Sequence, residues 1–112
     1  MAQPDFDLLA EAALEQIQQA LETCGAEVDV EAKADGVIEL EFDDGSKMII
    51  NRHRAAGEIW GAARAGGFHF RWDGSAWRDT RDRAELFAAL SKLVSAQSGA
   101  PVVLAPPRRH SP

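Results

Sequence analysis

The sequence predicts an α+β fold, a two-layer α/β sandwich of one helix, an antiparallel meander of five or six strands, and a second helix. Apolar residues recur every three or four positions near both ends of the chain, which is helical spacing. Between those ends, short segments alternate apolar and polar residues and are separated by turns that contain glycine. Both helices must bury an apolar side, so we expect them to share one face of the sheet and leave the other in water.

The first helix is predicted over residues 4–23. Asp5 stands where an N-cap or first-turn acid favours the helix dipole, and Gly25 stands where a left-handed cap ends a helix. The apolar side follows the spacing of a packed helix at Phe6, Leu9, Ala10, Ala13, Leu14, Ile17, Ala20 and Leu21. The opposite side carries a polar ridge, typical of a solvated helix face, at Glu11, Glu15, Gln18 and Glu22.

Three strands are predicted next, over residues 27–32, 37–42 and 47–52. Glycine-containing turns join them, which indicates a hairpin that continues as an antiparallel meander. In the first strand, two valines face one way and three carboxylates face the other, at Glu27, Asp29 and Glu31. Carboxylates two residues apart on a strand lie roughly 6–7 Å from each other, so their repulsion is a cost unless a cation lies nearby.

Residues 47–62, KMIINRHRAAGEIWGA, are predicted to form two strands of the sheet, whose exposed face carries groups that a core does not need. If Ile59 and Gly61 point inward, Trp60 points outward, beside Asn51 and His53 at the end of the preceding strand. An exposed tryptophan with polar neighbours is typical of a partner surface. A tryptophan that covers the edge of a core would show the same spacing.

The rest of the chain completes the sandwich. After a turn at Gly66 and Gly67, residues 68–72 alternate as a strand, a short strand follows around Trp77, and helical spacing returns from Arg81 onward. Residues 1–98 are therefore predicted as one domain, followed by a tail over residues 99–112. In this tail, residues 102–104 are apolar and are predicted to pack between the helices, whereas residues 106–112 are basic, proline-rich and predicted to be disordered.

Composition excludes several classes of protein. A chain of 112 residues with 27% charged residues fits one ordinary domain, and no apolar run approaches the ~20 residues of a membrane helix. The first residues are acidic and lack the apolar core of a secretory signal. We therefore expect a cytoplasmic protein, and the single Cys24 agrees with a reducing compartment.

Charge is divided unevenly along the chain. Residues 1–50 contain 13 acidic and 2 basic side chains, whereas residues 51–112 contain 5 acidic and 10 basic ones, and the net charge is −6. The acidic half would repel phosphates, which argues against nucleic acid as the main partner. It favours cations, or a basic protein surface, as partners of the N-terminal half.

Sequence motifs of catalysis are absent from the chain. It contains no CxxC pair, HExxH, P-loop, GxSxG or GxGxxG before a helix, and its three histidines lack the spacing of metal ligands. What remains is the density of carboxylates, which as oxygen-only ligands suit hard cations such as Mg, Ca, Mn or iron. Solvated carboxylates without a preformed cage would bind these cations weakly.

The segments resemble the frataxin family, most closely its bacterial members. The resemblance covers residues 5 to about 97 and rests on DGSKMIINRH, GEIWGAA, GGFHF and DGSAW, followed by the closing helix. It implies a small non-enzymatic protein that binds iron weakly and docks on the cysteine desulfurase and scaffold of the iron–sulfur cluster machinery. Such a protein would regulate cluster assembly, as an iron sensor or donor, and would be a monomer without affinity for nucleic acid or membrane.

The resemblance also implies which residues form the sites. Iron ligands would be Glu22, Glu27, Asp29 and Glu31, with Glu11 and Glu15 as candidates further upstream. Partner contacts would be Asn51, Arg52 and Trp60. The chain departs from the family pattern by a thinner acidic ridge near the end of the first helix, and by His53 in place of a common Gln. Two alternatives stay open: an interaction module whose acids only steer it to a basic surface, and a ferroxidase that uses the same carboxylates.

Overall fold

One layer of the fold is a six-stranded antiparallel sheet in the strand order β1-β2-β3-β4-β5-β6, and the other layer is a pair of helices. The structure is a computed structural model and describes residues 6–25, 27–34 and 36–105. Its elements are, in chain order, α1 (Phe6–Thr23), β1 (Val28–Lys33), β2 (Val37–Phe42), β3 (Lys47–His53), β4 (Glu58–Ala63), β5 (Gly66–Trp72), β6 (Trp77–Asp79) and α2 (Leu86–Ser98). The predicted fold class is confirmed, with six strands. Among the described residues, no helix is long and apolar enough to cross a membrane.

The two faces of the sheet differ in what they carry. Cross-strand pairs such as Ile38 with Ile50 and Leu40 with Met48 are buried and form the core with the helices. The alternate positions point away from the helices, and we call that side the open face. In β4, Ile59 is buried in the core while Trp60 is only half-buried, so the prediction that Trp60 points outward is confirmed.

Helix α1 packs as its apolar spacing predicts. Six of its residues are buried, at Ala10, Ala13, Leu14, Ile17, Ala20 and Leu21. Gly25 has a φ of 83° just past the helix end, which confirms the expected left-handed cap. The predicted N-cap, Asp5, lies outside the described residues.

Helix α2 begins at Leu86, five residues later than the helical spacing from Arg81 onward predicts. The intervening residues form a turn in which Arg83 has a positive φ of 65° and the Asp82 carboxylate accepts the N–H of Ala84 at 2.9 Å. Glu85 then caps the helix, because its carboxylate accepts the N–H groups of Phe87 and Ala88 at 3.0 and 3.1 Å. Charged side chains that bond to local backbone groups favour this turn over a further turn of helix.

The connection between β4 and β5 is tighter than the sequence predicts. Gly66 and Gly67 were expected to form a turn, but both belong to β5 and pair with Ala63 and Ala62. The turn itself falls at residues 64–65. The prediction was wrong because a pair of glycines usually signals a turn, whereas here the glycines extend the strand.

The tail after α2 returns along that helix in an extended conformation. Val102 and Leu104 are buried in the core, and their N–H groups donate to Ser95 Oγ and Ser91 Oγ of α2, each at 2.8 Å. Val103 is 83% exposed, so the expectation that it packs with its neighbours is wrong. Successive residues of an extended chain point in opposite directions, which leaves room for only two of the three in the core. The segment 106–112, predicted to be disordered, lies outside the described residues.

Candidate functional site

Three rings are stacked in a row across the open face of strands β3, β4 and β5. The His53 ring lies 3.5 Å from the Trp60 ring between centroids with an angle of 12°, and the His69 ring lies 4.6 Å away on the other side at 15°. Trp60 is the cross-strand partner of His69, so the sheet register itself brings these two rings together. We call His53, Trp60 and His69 the ring patch. It offers an aromatic surface whose shape is already fixed.

A buried carboxylate underlies the ring patch. Glu58 precedes Trp60 by two residues on β4 and therefore points to the same face, where its Oε1 accepts the indole N–H of Trp60 at 2.7 Å. Its Oε2 accepts from Arg71 Nη2 at 2.6 Å. Burial works to raise the pKa of the Glu58 carboxyl, but the hydrogen bonds from Trp60 and Arg71 outweigh burial and hold the pKa below its usual value. Glu58 is thus ionised at neutral pH, as a partner of both groups.

The three predicted partner residues do not share one surface. Asn51 is the cross-strand partner of Trp60 and lies beside the ring patch on the open face. Arg52 pairs with the buried Ile59 and lies on the helix side of the sheet, since neighbouring residues of a strand point to opposite faces. The family resemblance implied that Arg52 shares a sheet surface with Asn51 and Trp60, and this placement of Arg52 is wrong because it lies on the opposite face.

Arg52 lies instead in an open groove between α1 and the β1–β2 hairpin. The groove has a volume of about 610 Å³, and its lining includes Glu11 and Glu15 of α1 together with Lys33 and Arg52 of the sheet. These two acids were candidate iron ligands. The structure places them in a groove that Arg52 also lines, apart from the other candidates.

A second groove has acidic residues as the only charged residues in its lining. It has a volume of about 450 Å³, is lined by Val28, Phe42 and Gly45, and contains four carboxylates at Glu27, Asp29, Glu41 and Asp43. We call it the acidic groove. Asp29 and Glu41 are cross-strand partners, so pairing of β1 with β2 doubles the number of acids at this edge. The sequence reasoning missed Glu41 and Asp43, although an antiparallel pairing of Val28 with Phe42 would have pointed to them.

The remaining candidates lie apart from the acidic groove. Glu22 is exposed near the end of α1, where Gln18 Nε2 donates to its carboxylate at 3.3 Å. Glu31 is on β1 and lies 3.8 Å from Lys33 Nζ. Within residues 6–25, 27–34 and 36–105, no group of three or more His, Cys, Asp or Glu side chains is arranged to hold a metal ion.

Two lysines partly neutralise the negative charge near this edge of the sheet. Lys33 Nζ and Lys47 Nζ lie 3.3 and 2.9 Å from the carboxylate of Glu39, which stands across from Glu31. Hydrogen bonds first from Lys47 and then from Lys33 hold the pKa of Glu39 below its usual value. The cost of carboxylate repulsion expected from β1 is therefore reduced within the sheet itself.

A protein-family model and individual sequence relatives both match most of this chain. The family described as "Frataxin-like domain" matches residues 1–100. The chain is 59% identical over 104 residues to the "Iron-sulfur cluster assembly protein CyaY" of Dechloromonas aromatica (strain RCB), covering 93% of this chain and 99% of that protein. It is 50% identical over 108 residues to the protein of the same name from Janthinobacterium sp. (strain Marseille), covering 93% and 96%.

A solved structure agrees with the fold. The frataxin from Psychromonas ingrahamii superposes with a TM-score of 0.81 at 30% sequence identity, covering 90% of this chain and 95% of that one. Both the sequence matches and the structural match extend over most of the chain. The protein therefore belongs to the frataxin-like family.

Proposed function

We propose that this protein is a non-catalytic regulator of iron–sulfur cluster assembly that docks on the cysteine desulfurase and its scaffold through the ring patch. The names of the CyaY relatives support the pathway, since each is called an iron–sulfur cluster assembly protein. Cytoplasmic residence as a monomer belongs to the same proposal. The observation that carries it is the stack of Trp60 between His53 and His69 on a sheet face that the helices leave uncovered.

The docking surface is tested by binding of Trp60→Ala to the purified cysteine desulfurase. A desolvated aromatic anchor contributes about 2 kcal/mol or more to an interface, so we expect dissociation to accelerate by at least about thirtyfold. Circular dichroism must first show that the variant is folded, because a packing tryptophan would weaken binding by unfolding the sheet. A folded variant that binds like the parent would move the docking surface away from the ring patch.

Iron is the cargo in this proposal, bound weakly at the acidic groove. Carboxylate oxygens can bind iron, and the lining of this groove includes four acids and no cationic residue. The groove of Glu11 and Glu15 is less suitable, because Arg52, which also lines it, opposes a cation there. Glu22 and Glu31 would then contribute through charge rather than as ligands.

An anaerobic Fe(II) titration followed by amide NMR tests the cargo proposal. We expect selective broadening at residues 27–29 and 41–43, and little change at residues 11–15, which serve as an internal control. Equal broadening at both grooves would contradict selective binding at the acidic groove. No broadening at either groove would leave the protein an interaction module without metal function. Oxygen uptake faster than that of Fe(II) in buffer would instead indicate a ferroxidase.

A further inference from the structure

The most unusual group on the open face is the Glu58 carboxylate. Its side chain is 8% exposed, although it points to the side of the sheet that the helices do not cover. Charged carboxylates are rarely buried unless they are paired. Here each oxygen has a separate donor, namely the Trp60 indole N–H and the Arg71 guanidinium, and His69 Nδ1 lies 3.9 Å from Oε1. All three of these neighbours belong to strands β4 and β5 around the ring patch.

We propose that Glu58 is the positioning residue of the ring patch, which it serves by fixing the indole of Trp60 between the two imidazoles. Stacking against His53 and His69 sets the plane of the indole but would equally accept the ring flipped by about 180° about χ2, with its N–H on the opposite edge. The hydrogen bond from Nε1–H to Glu58 removes this freedom. Arg71 in turn holds the carboxylate from the neighbouring strand, where it is the cross-strand partner of Glu58.

The consequence for docking is a preformed anchor. An exposed tryptophan normally loses side-chain freedom when a partner binds, and that loss weakens binding. With its two ring faces stacked and its N–H already bonded, Trp60 has little freedom left to lose. This step rests on the proposed docking function, whereas the role of Glu58 in holding the indole does not.

The first measurement therefore uses the free protein. The indole N–H resonance of Trp60, identified as the one lost in Trp60→Phe, should move upfield and exchange faster with solvent in Glu58→Ala. Glu58→Gln should show a smaller change, because an amide oxygen still accepts the indole N–H but no longer pairs with the charge of Arg71. Glu39→Gln is the matched control, since it neutralises a carboxylate on the same face that is bonded to two lysines and not to Trp60.

The second measurement is the dissociation rate from the purified cysteine desulfurase. We expect Glu58→Ala to dissociate about tenfold faster than the parent, and Glu58→Gln about threefold faster. Circular dichroism of each variant must match the parent. Because Glu58→Gln preserves the shape of the side chain, it keeps the test valid if Glu58→Ala fails to fold.

The outcomes separate the two levels of the proposal. An indole resonance that stays in place in folded Glu58 variants overturns the positioning role. A displaced resonance with unchanged desulfurase dissociation shows that the fixed indole is not needed for docking, and overturns the link to the partner. If the parent itself does not bind the desulfurase, the proposed function fails, while the indole measurement still decides whether Glu58 holds Trp60.

Discussion

Gly61 is a position in β4 where the ring of Phe68 leaves no room for a side chain. A Cβ placed there would lie 2.1 Å from Cε2 of Phe68, its cross-strand partner on β5. Real Cβ atoms do not approach ring carbons this closely, so the Phe68 ring would have to leave its place in the core. Glycine at this position therefore allows a phenylalanine to lie flat on β4.

We expect Gly61→Ala to destabilise the protein by about 1–3 kcal/mol, as overpacking of a core does. Urea unfolding would measure the change. Gly67→Ala is the control on the adjacent strand, where the nearest atom to a new Cβ is the Gly61 carbonyl oxygen at an ordinary 3.6 Å. If both variants lose the same stability, the loss in Gly61→Ala does not come from the Phe68 ring, and the overpacking argument is contradicted.

A second prediction at this scale concerns Asp73, in the turn between β5 and β6. Backbone N–H groups of Ser75 and Ala76 donate to its carboxylate and lower its pKa from 3.8 to about 2. A carboxyl with a lowered pKa stabilises the fold above its ordinary pKa, and that stabilisation is lost as the pH falls toward the folded value.

Asp73→Asn should therefore be less stable than the parent at neutral pH, with a smaller difference near about pH 3. Urea unfolding of both proteins at the two pH values measures the two differences. The asparagine oxygen can still accept the turn N–H groups, so the variant isolates the charge. A difference that is the same at both pH values would contradict the ionisation argument.

Single residues also mark the limit of what the sequence could predict about the site. The outward direction of Trp60 followed from strand alternation, and so did the facing of Asp29 and Glu31. The burial of Glu58 did not, because it depends on Arg71, which is thirteen positions away and comes beside it only through the pairing of β4 with β5. Contacts of this kind need a register that spacing alone does not supply.

At the scale of the element, helices and strands with regular apolar spacing were predictable, and their ends were less so. The spacing of α1 and the meander agreed with the structure, since burial on one side imposes a period. The predicted start of α2 was wrong because hydrogen bonds from nearby backbone N–H groups to the Asp82 and Glu85 carboxylates decide where the helix begins. The prediction of a turn at Gly66 and Gly67 was wrong because the positive φ of Gly66, 132°, falls at the first residue of β5, and neither glycine lies in the turn.

The tail provides a prediction for an element without regular secondary structure. Leu104 is 4% exposed and its backbone is bonded to Ser91 of α2, whereas Val103 next to it points into solvent. Leu104→Ala should cost about 2 kcal/mol or more, the lower range for a buried leucine. Val103→Ala should change stability by less than about 0.5 kcal/mol. Thermal or urea unfolding that ranks them the other way would mean that the tail does not pack in solution as described.

For the whole molecule, the open face carries charge that changes sign across the strands. Its β1–β2 edge presents Asp29, Glu31 and Glu41, its centre holds the ring patch, and its β5–β6 edge presents Arg71 and Arg78. The uneven charge along the sequence thus becomes an uneven charge across one surface, because a meander keeps the order of its strands. A partner that meets this face is expected to place basic groups over β1 and β2.

The last prediction tests whether the partner reaches that acidic edge. Glu31 lies on the open face and Glu22 lies on α1 on the opposite layer, so Glu31→Gln and Glu22→Gln remove the same charge from different surfaces. Long-range steering depends on total charge, and both variants should therefore slow association with the cysteine desulfurase, by about twofold. Only Glu31→Gln should also speed dissociation, because dissociation reports contacts made within the interface. Stopped-flow or surface-based kinetics at two salt concentrations would measure both rates. Equal dissociation rates for the two variants would confine the interface to the ring patch and leave the β1 edge outside it.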